Sequence, residues 1–195
     1  MARDAPGGFD HTVTVAAPAA RVLGAFFDPR ALSVWWQVER SIANPTPLGA
    51  YALAWPRSKT VDQVLGPLGG TFHGTVIDYK PGRAFFVAEA YWIPPRGDPI
   101  GPMSLEVTCT TPGRLRAVAD AVARARPHRA SGEAGPDVAG PAGATTALRV
   151  MQRGYEDSER WRRYYELLGA SLPAALERLK EYHERGQGIW DLREW

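Results

Sequence analysis

Residues 171–185, SLPAALERLKEYHER, decide the fold. Leu172, Ala175, Leu176, Leu179 and Tyr182 fall at i, i+3, i+4, i+7 and i+10, one apolar stripe of helical period. Glu177, Lys180, Glu181, Glu184 and Arg185 take the wet side, with Glu181 and Arg185 as an i,i+4 pair. Ser171 offers a cap, with Leu172 and Pro173 in the first turn; Gly169 breaks the chain before it and Gly186 and Gly188 stop it. Ahead of that break, Glu156, Asp157 and Glu159 precede Arg160, Arg162 and Arg163, the charge order that a helix dipole favours. A helix with one apolar stripe must lie on a surface, and the chain upstream supplies it.

From Trp36 to Arg153 the sequence reads as strands and turns. Strands are expected at 38–42, 50–55, 71–79, 83–93, 103–110 and 144–153. Lys80-Pro81-Gly82 joins two of them as an antiparallel hairpin, and 56–70 is a long connection. At the start, HTVTVA (11–16) alternates Val13 and Val15 with Thr12 and Thr14. Pro18 then opens a short helix carrying Val22, Leu23, Phe26 and Phe27. Asp28 caps a second helix with Pro29 at its first position, ending at Trp35-Trp36. Residues 1–10 read as a loose arm. Residues 112–143 break the rhythm: 113–126 is rich in Ala and Arg, and 127–143 has the composition of a flexible loop. The expectation is one domain over 11–185 with an insertion at 112–143. In the tail, 186–195, Trp190, Leu192 and Trp195 are too apolar to dangle, so it should dock on its own domain or across a homodimer.

Composition narrows the function classes. A chain of 195 residues, 45 % hydrophobic, can bury a sizeable core. A net charge of +2 lacks the positive field of a general nucleic-acid binder. The single cysteine, Cys109, excludes an internal disulfide framework and any multi-cysteine metal site. No apolar stretch approaches the ~20 residues of a membrane span. MARDAPGGFD has neither the basic nor the apolar region of a signal peptide, so a cytoplasmic location is expected.

The order strand, two short helices, antiparallel strands, long C-terminal helix is the helix-grip arrangement, an α+β fold in which a curved antiparallel sheet wraps the last helix. The chain resembles the superfamily of START, polyketide cyclase and birch-pollen-allergen-like domains. Within it the look is that of the heat-shock-protein ATPase activator homologues. VTVAAPAARVLGAFFDPRALSVWW (13–36), GTVIDYKPGRAFF (74–86), ATTALRV (144–150) and LPAALERLKEY (172–182) carry the likeness. The 112–143 block and the GIWDLREW ending depart from it. The resemblance implies a cavity between sheet and helix, and bacterial-type members look like ligand-binding modules.

Candidate chemistry is sparse. His11, His73, His128 and His183 lie in different elements without metal-ligand spacing, and no cofactor is expected. Cys109 has no local activating partner and reads as a buried, inert thiol. There is no nucleophile elbow and no phosphate loop. RWRRYY (160–165) interleaves arginine with aromatics as single-strand binders do, but reads better as a helix with Trp161, Tyr164 and Tyr165 partly packed inward. Glu89 is the only charge between Ala84 and Ile93. If the inner face of that strand is Phe85, Val87, Glu89 and Tyr91, its carboxylate enters the cavity and needs a partner, with Arg149 or then His73 available. If the inner face is Phe86, Ala88, Ala90 and Trp92, it meets water. Periodicity leaves both open. The expected ligand is a small, mostly apolar molecule, lined by Trp35, Trp36, Trp55, Phe72, Glu89, Tyr91, Arg149, Leu172 and Leu176. The aromatic set, which also includes Trp92, serves equally as core. An aromatase/cyclase-like enzyme using Glu89 and Arg149, or a protein-binding module, are the alternatives.

Overall fold

The computed structural model describes residues 8–111 and 144–185. Residues 1–7 of the expected arm 1–10, the insertion 112–143 and the tail 186–195 lie outside the described residues, and so does His128. β1 (Gly8–Val15) leads through Pro18 into α1 (Ala19–Gly24) and then α2 (Pro29–Trp35). The Asp28 carboxylate accepts the Arg30 N–H at 2.9 Å, and Pro29 starts α2, as the Asp-Pro pair requires. Strands β2 (Arg40–Ala43), β3 (Ala50–Trp55), β6 (Gly70–Lys80), β7 (Ala84–Ile93), β8 (Ile100–Thr110) and β9 (Thr146–Arg153) follow, and α3 (Glu159–Glu184) ends the described chain. The seven-stranded antiparallel sheet runs β1-β9-β8-β7-β6-β3-β2, with α3 packed across it against β1 and α2. No described helix is long and apolar enough to cross a membrane.

Three expectations change. Residues 8–10 belong to β1 rather than to a loose arm: Phe9 is buried, and Asp10 holds the Arg149 guanidinium. The 56–70 connection contains a small hairpin of its own, β4 (Val61–Asp62) and β5 (Gly66–Pro67). The C-terminal helix is continuous across Gly169. Ser158, not Ser171, caps it, its hydroxyl accepting the Trp161 N–H. A helical glycine costs only ~1 kcal/mol, less than the burial of Trp161 and Tyr164 returns on the preceding turns. Pro173 does lie inside the helix, so the Gly169 carbonyl lacks its i+4 donor.

The core is the sheet's inner face against Leu172, Ala175, Leu176, Leu179 and the two short helices. Strand β7 reaches it by a route that alternation alone does not give. Phe85 and Val87 are buried, then the strand bulges at Ala88-Glu89, and Ala90 and Trp92 are buried beyond it. His73 pairs with Tyr91 and Thr75 with Ala88, so Gly74 alone stands opposite Glu89 and Ala90. A Cβ on Gly74 would sit 2.7 Å from the Val87 side chain and 2.9 Å from the Ala88 carbonyl oxygen. The inner face is therefore half of each sequence alternative, joined by one extra residue.

Candidate functional site

Trp35 and Trp36 leave α2 in opposite roles. The Trp35 indole is fully buried and donates to the Ala25 carbonyl at 3.0 Å. Trp36 stacks on it, ring centroids 4.7 Å apart, and is only partly buried. Its carbonyl accepts the Trp55 indole N–H at 2.8 Å, which sets Trp55 edge-on at 5.4 Å. From β7, Trp92 donates to the Gly69 carbonyl at 3.0 Å and lies 5.6 Å from the Tyr164 ring of α3. The Tyr164 hydroxyl donates at 3.0 Å to Oε1 of Gln152, a buried residue on β9.

Trp36, Trp55, Trp92, Tyr164 and Gln152 help to wall a cavity of about 580 Å³ between the sheet and α3. Phe72 and Leu105 stand on its sheet side, Leu168, Leu172 and Ala175 on its helix side, and Leu65 and Leu68 line it from the β4–β5 flap. Asp62 anchors that flap. One carboxylate oxygen accepts the N–H groups of Val64 and Leu65 at 2.9 and 3.0 Å; the other accepts Arg163 Nε and Nη2 at 2.9 and 2.8 Å. The arginine's hydrogen bond, followed by the Leu65 N–H, holds the Asp62 carboxyl down at about 2. The polar wall positions include Gln37, Arg57, Gln152, Tyr164 and Arg178, with no Asp or Glu among the described residues. Burial raises the Tyr164 phenol, so it stays a donor at neutral pH.

Of the residues singled out from sequence, Trp36, Trp55, Phe72 and Leu172 stand on this wall. Trp35 and Leu176 are fully buried behind it as packing. Glu89, Tyr91 and Arg149 are elsewhere. Glu89 is exposed because the bulge turns it out of the sheet. Tyr91 stacks on His73, centroids 5.8 Å apart, as its pair on the outer face. Arg149 points outward from β9 and makes a two-pronged ion pair with Asp10. No Glu89–Arg149 pair exists to carry proton transfer. Cys109 is buried, and burial pushes its thiol up to about 12. RWRRYY lies on α3 with Trp161 and Tyr164 inward and Arg162 outward.

Sequence reasoning missed Gln152, Tyr164, the flap leucines and Arg178. Alternation in β9 carried the signal for Gln152, which follows Leu148 and Val150 on the inward register. Arg178 follows Ala175 by one turn at the edge of the apolar stripe.

No family model and no curated protein matches the chain. Solved structures do. A solution structure from Staphylococcus epidermidis superposes with a TM-score of 0.56 at 11 % identity, over 94 % of this chain and 93 % of that one. A Chromobacterium violaceum protein gives 0.54 at 18 %, over 92 % and 99 %. DynU16, a protein of the dynemicin biosynthetic locus, gives 0.52 at 19 %, over 91 % of this chain and 47 % of its own. At these identities the likeness is one of fold.

Proposed function

We propose that this chain binds a small, mostly apolar molecule in the cavity between the sheet and α3, as a member of the START, polyketide cyclase and birch-pollen-allergen-like superfamily. The carrying observation is the space of about 580 Å³ walled by Trp36, Trp55, Phe72, Trp92 and leucines from three elements. That size falls in the range of small-molecule sites, which run to roughly 300–1,000 Å³. Apolar surface entering it gains roughly 25 cal/mol per Å² before association costs. The fold it shares with a protein of a biosynthetic locus agrees with a metabolite ligand. The enzyme alternative loses its acid–base pair, because Glu89 and Arg149 lie outside the cavity.

The test uses N-phenyl-1-naphthylamine, a neutral apolar fluorophore. It should bind one per chain and quench part of the tryptophan emission. Trp36→Gln and Leu172→Asn should each weaken binding about tenfold or more, roughly the loss of one buried apolar contact surface. Glu177→Gln, on the wet side of α3, should leave it unchanged. Absence of saturable binding to the folded protein would falsify the ligand reading and favour a protein-binding module.

A further inference from the structure

The cavity is not uniformly greasy, and the charged residues on its described wall are both arginines. α3 contributes wall residues from Tyr164 to Arg178, a run of fourteen steps, or about 21 Å along a helix axis at 1.5 Å per residue. At the Tyr164 end the polar pair, Tyr164 with Gln152, is neutral. At the other end stands Arg178, and Arg57 joins the wall where the chain leaves β3.

Arg178 is half-buried. Its Nε donates to the Trp35 carbonyl at 3.0 Å, which fixes the plane of the guanidinium. Among the described residues its two terminal nitrogens have no hydrogen-bond partner and it joins no ion pair. Arg149, Arg162, Arg163 and Arg185 each hold a carboxylate. A partly desolvated cation beside Trp36 and Ala175 is costly unless a counter-charge arrives. Among the described residues the wall contains no acid to supply one or to repel an incoming anion. A guanidinium oriented through Nε presents the remaining N–H groups as a fork that suits a carboxylate or a similar oxyanion.

We infer that the ligand of this cavity is an organic acid: an apolar body carrying one anionic group, which pairs with Arg178. The inference rests on the ligand-binding reading above and adds the charge of the ligand to it.

A matched probe pair tests it. N-phenyl-1-naphthylamine and 1-anilinonaphthalene-8-sulfonate differ by one sulfonate. In the full chain the sulfonate should bind about tenfold more tightly or better, the ratio expected of a charge-assisted hydrogen bond. Arg178→Gln should bring the ratio of the two affinities to within about threefold of one, and Arg178→Lys should restore part of it. The ratio is read within each variant, so a general loss of stability does not imitate the effect. If Arg178→Gln binds neither probe, Arg57→Gln serves in its place and should lower the ratio by about two- to threefold. Equal affinities in the wild type, or a ratio that survives Arg178→Gln, overturn the acid while the apolar ligand stands. Failure of the neutral probe to bind the wild type overturns the cavity reading itself.

Discussion

Glu89 holds a φ of 48° in mid-strand, and Gly74 across from it leaves the room that this requires. A left-handed backbone costs a side-chain-bearing residue roughly 1–2 kcal/mol, more for a β-branched one. Glu89→Gly is therefore expected to change stability little, relief of strain offsetting the added freedom of the unfolded chain. Glu89→Val should lose about 1–2 kcal/mol, and Gly74→Ala should lose more, because its Cβ meets backbone. Thermal melts of the three variants check the order. The same residue shows where the sequence stops being legible. Every side chain of β7 was readable, but a bulge of one residue is a backbone event that neither face announces. Gly74, inside a strand pattern, was the one available hint. His183 is a second case. It is buried on α3 with both ring nitrogens unpartnered, and burial, then the charge of Arg21, pushes its pKa down to about 4. Below its ordinary value of 6.5 the unfolded chain takes up a proton that the folded one refuses until about pH 4, so stability falls as pH drops through that window. The urea midpoint should decline between pH 7 and 5, and His183→Leu should flatten the decline while holding the midpoint at pH 7.

At the level of the elements, the flap and α3 are the pair to perturb. The β4–β5 hairpin has only two short strands, and Asp62 is its buried polar anchor, tied both to its own turn and to Arg163. A carboxyl held near 2 keeps the tie charged through the neutral and mildly acidic range, its contribution being lost only as pH falls from the ordinary carboxylate value of 3.8 through about 2. Arg163→Ala should expose 57–70 to faster proteolysis at neutral pH and speed entry of the neutral naphthylamine. Unchanged cleavage would show that Leu65 and Leu68 alone seat the flap. Gly169→Ala is expected to gain about 0.5–1 kcal/mol, since its Cβ would meet nothing within 4 Å. The elements were largely legible because caps, turns and period mark them locally: Asp28-Pro29, Lys80-Pro81-Gly82, the leucine stripe. The break read at Gly169 failed because packing of the Trp161 and Tyr164 turn overrides a weak local penalty.

For the whole molecule, sheet order and cavity are one fact. β9 sits between β1 and β8, so the end of the described sheet sequence is tied to its beginning, and α3 crosses with both ends held: Arg160 to the Asp98 carbonyl, Glu184 to the Ala16 N–H. The sequence could place the helix over the sheet but not count which side chains stop short of filling the gap. Trp36, Phe72 and Leu172 were visible as apolar; that they line space while Trp35 and Leu176 fill it depends on the rotation of α2 and the path of β7.

The missing helix bond between Gly169 and Pro173 marks a weak point between two stretches of the continuous α3. The first, from Ser158 to Leu172, supplies most of the helix's wall residues; the second adds Ala175 and Arg178 to the wall but seats Leu176, Leu179 and His183 in the core. Lifting the first need not loosen the second, so the clock for ligand exchange and the melting of the protein are separate quantities. Amide protons of 162–171 should exchange with solvent faster than those of 176–184, and bound naphthylamine should slow chiefly the former. Leu179→Ala should cost about 2–5 kcal/mol in stability with little change in the rate of ligand escape. Gly169→Ala, by stiffening the joint, should lengthen residence time out of proportion to its small gain in stability.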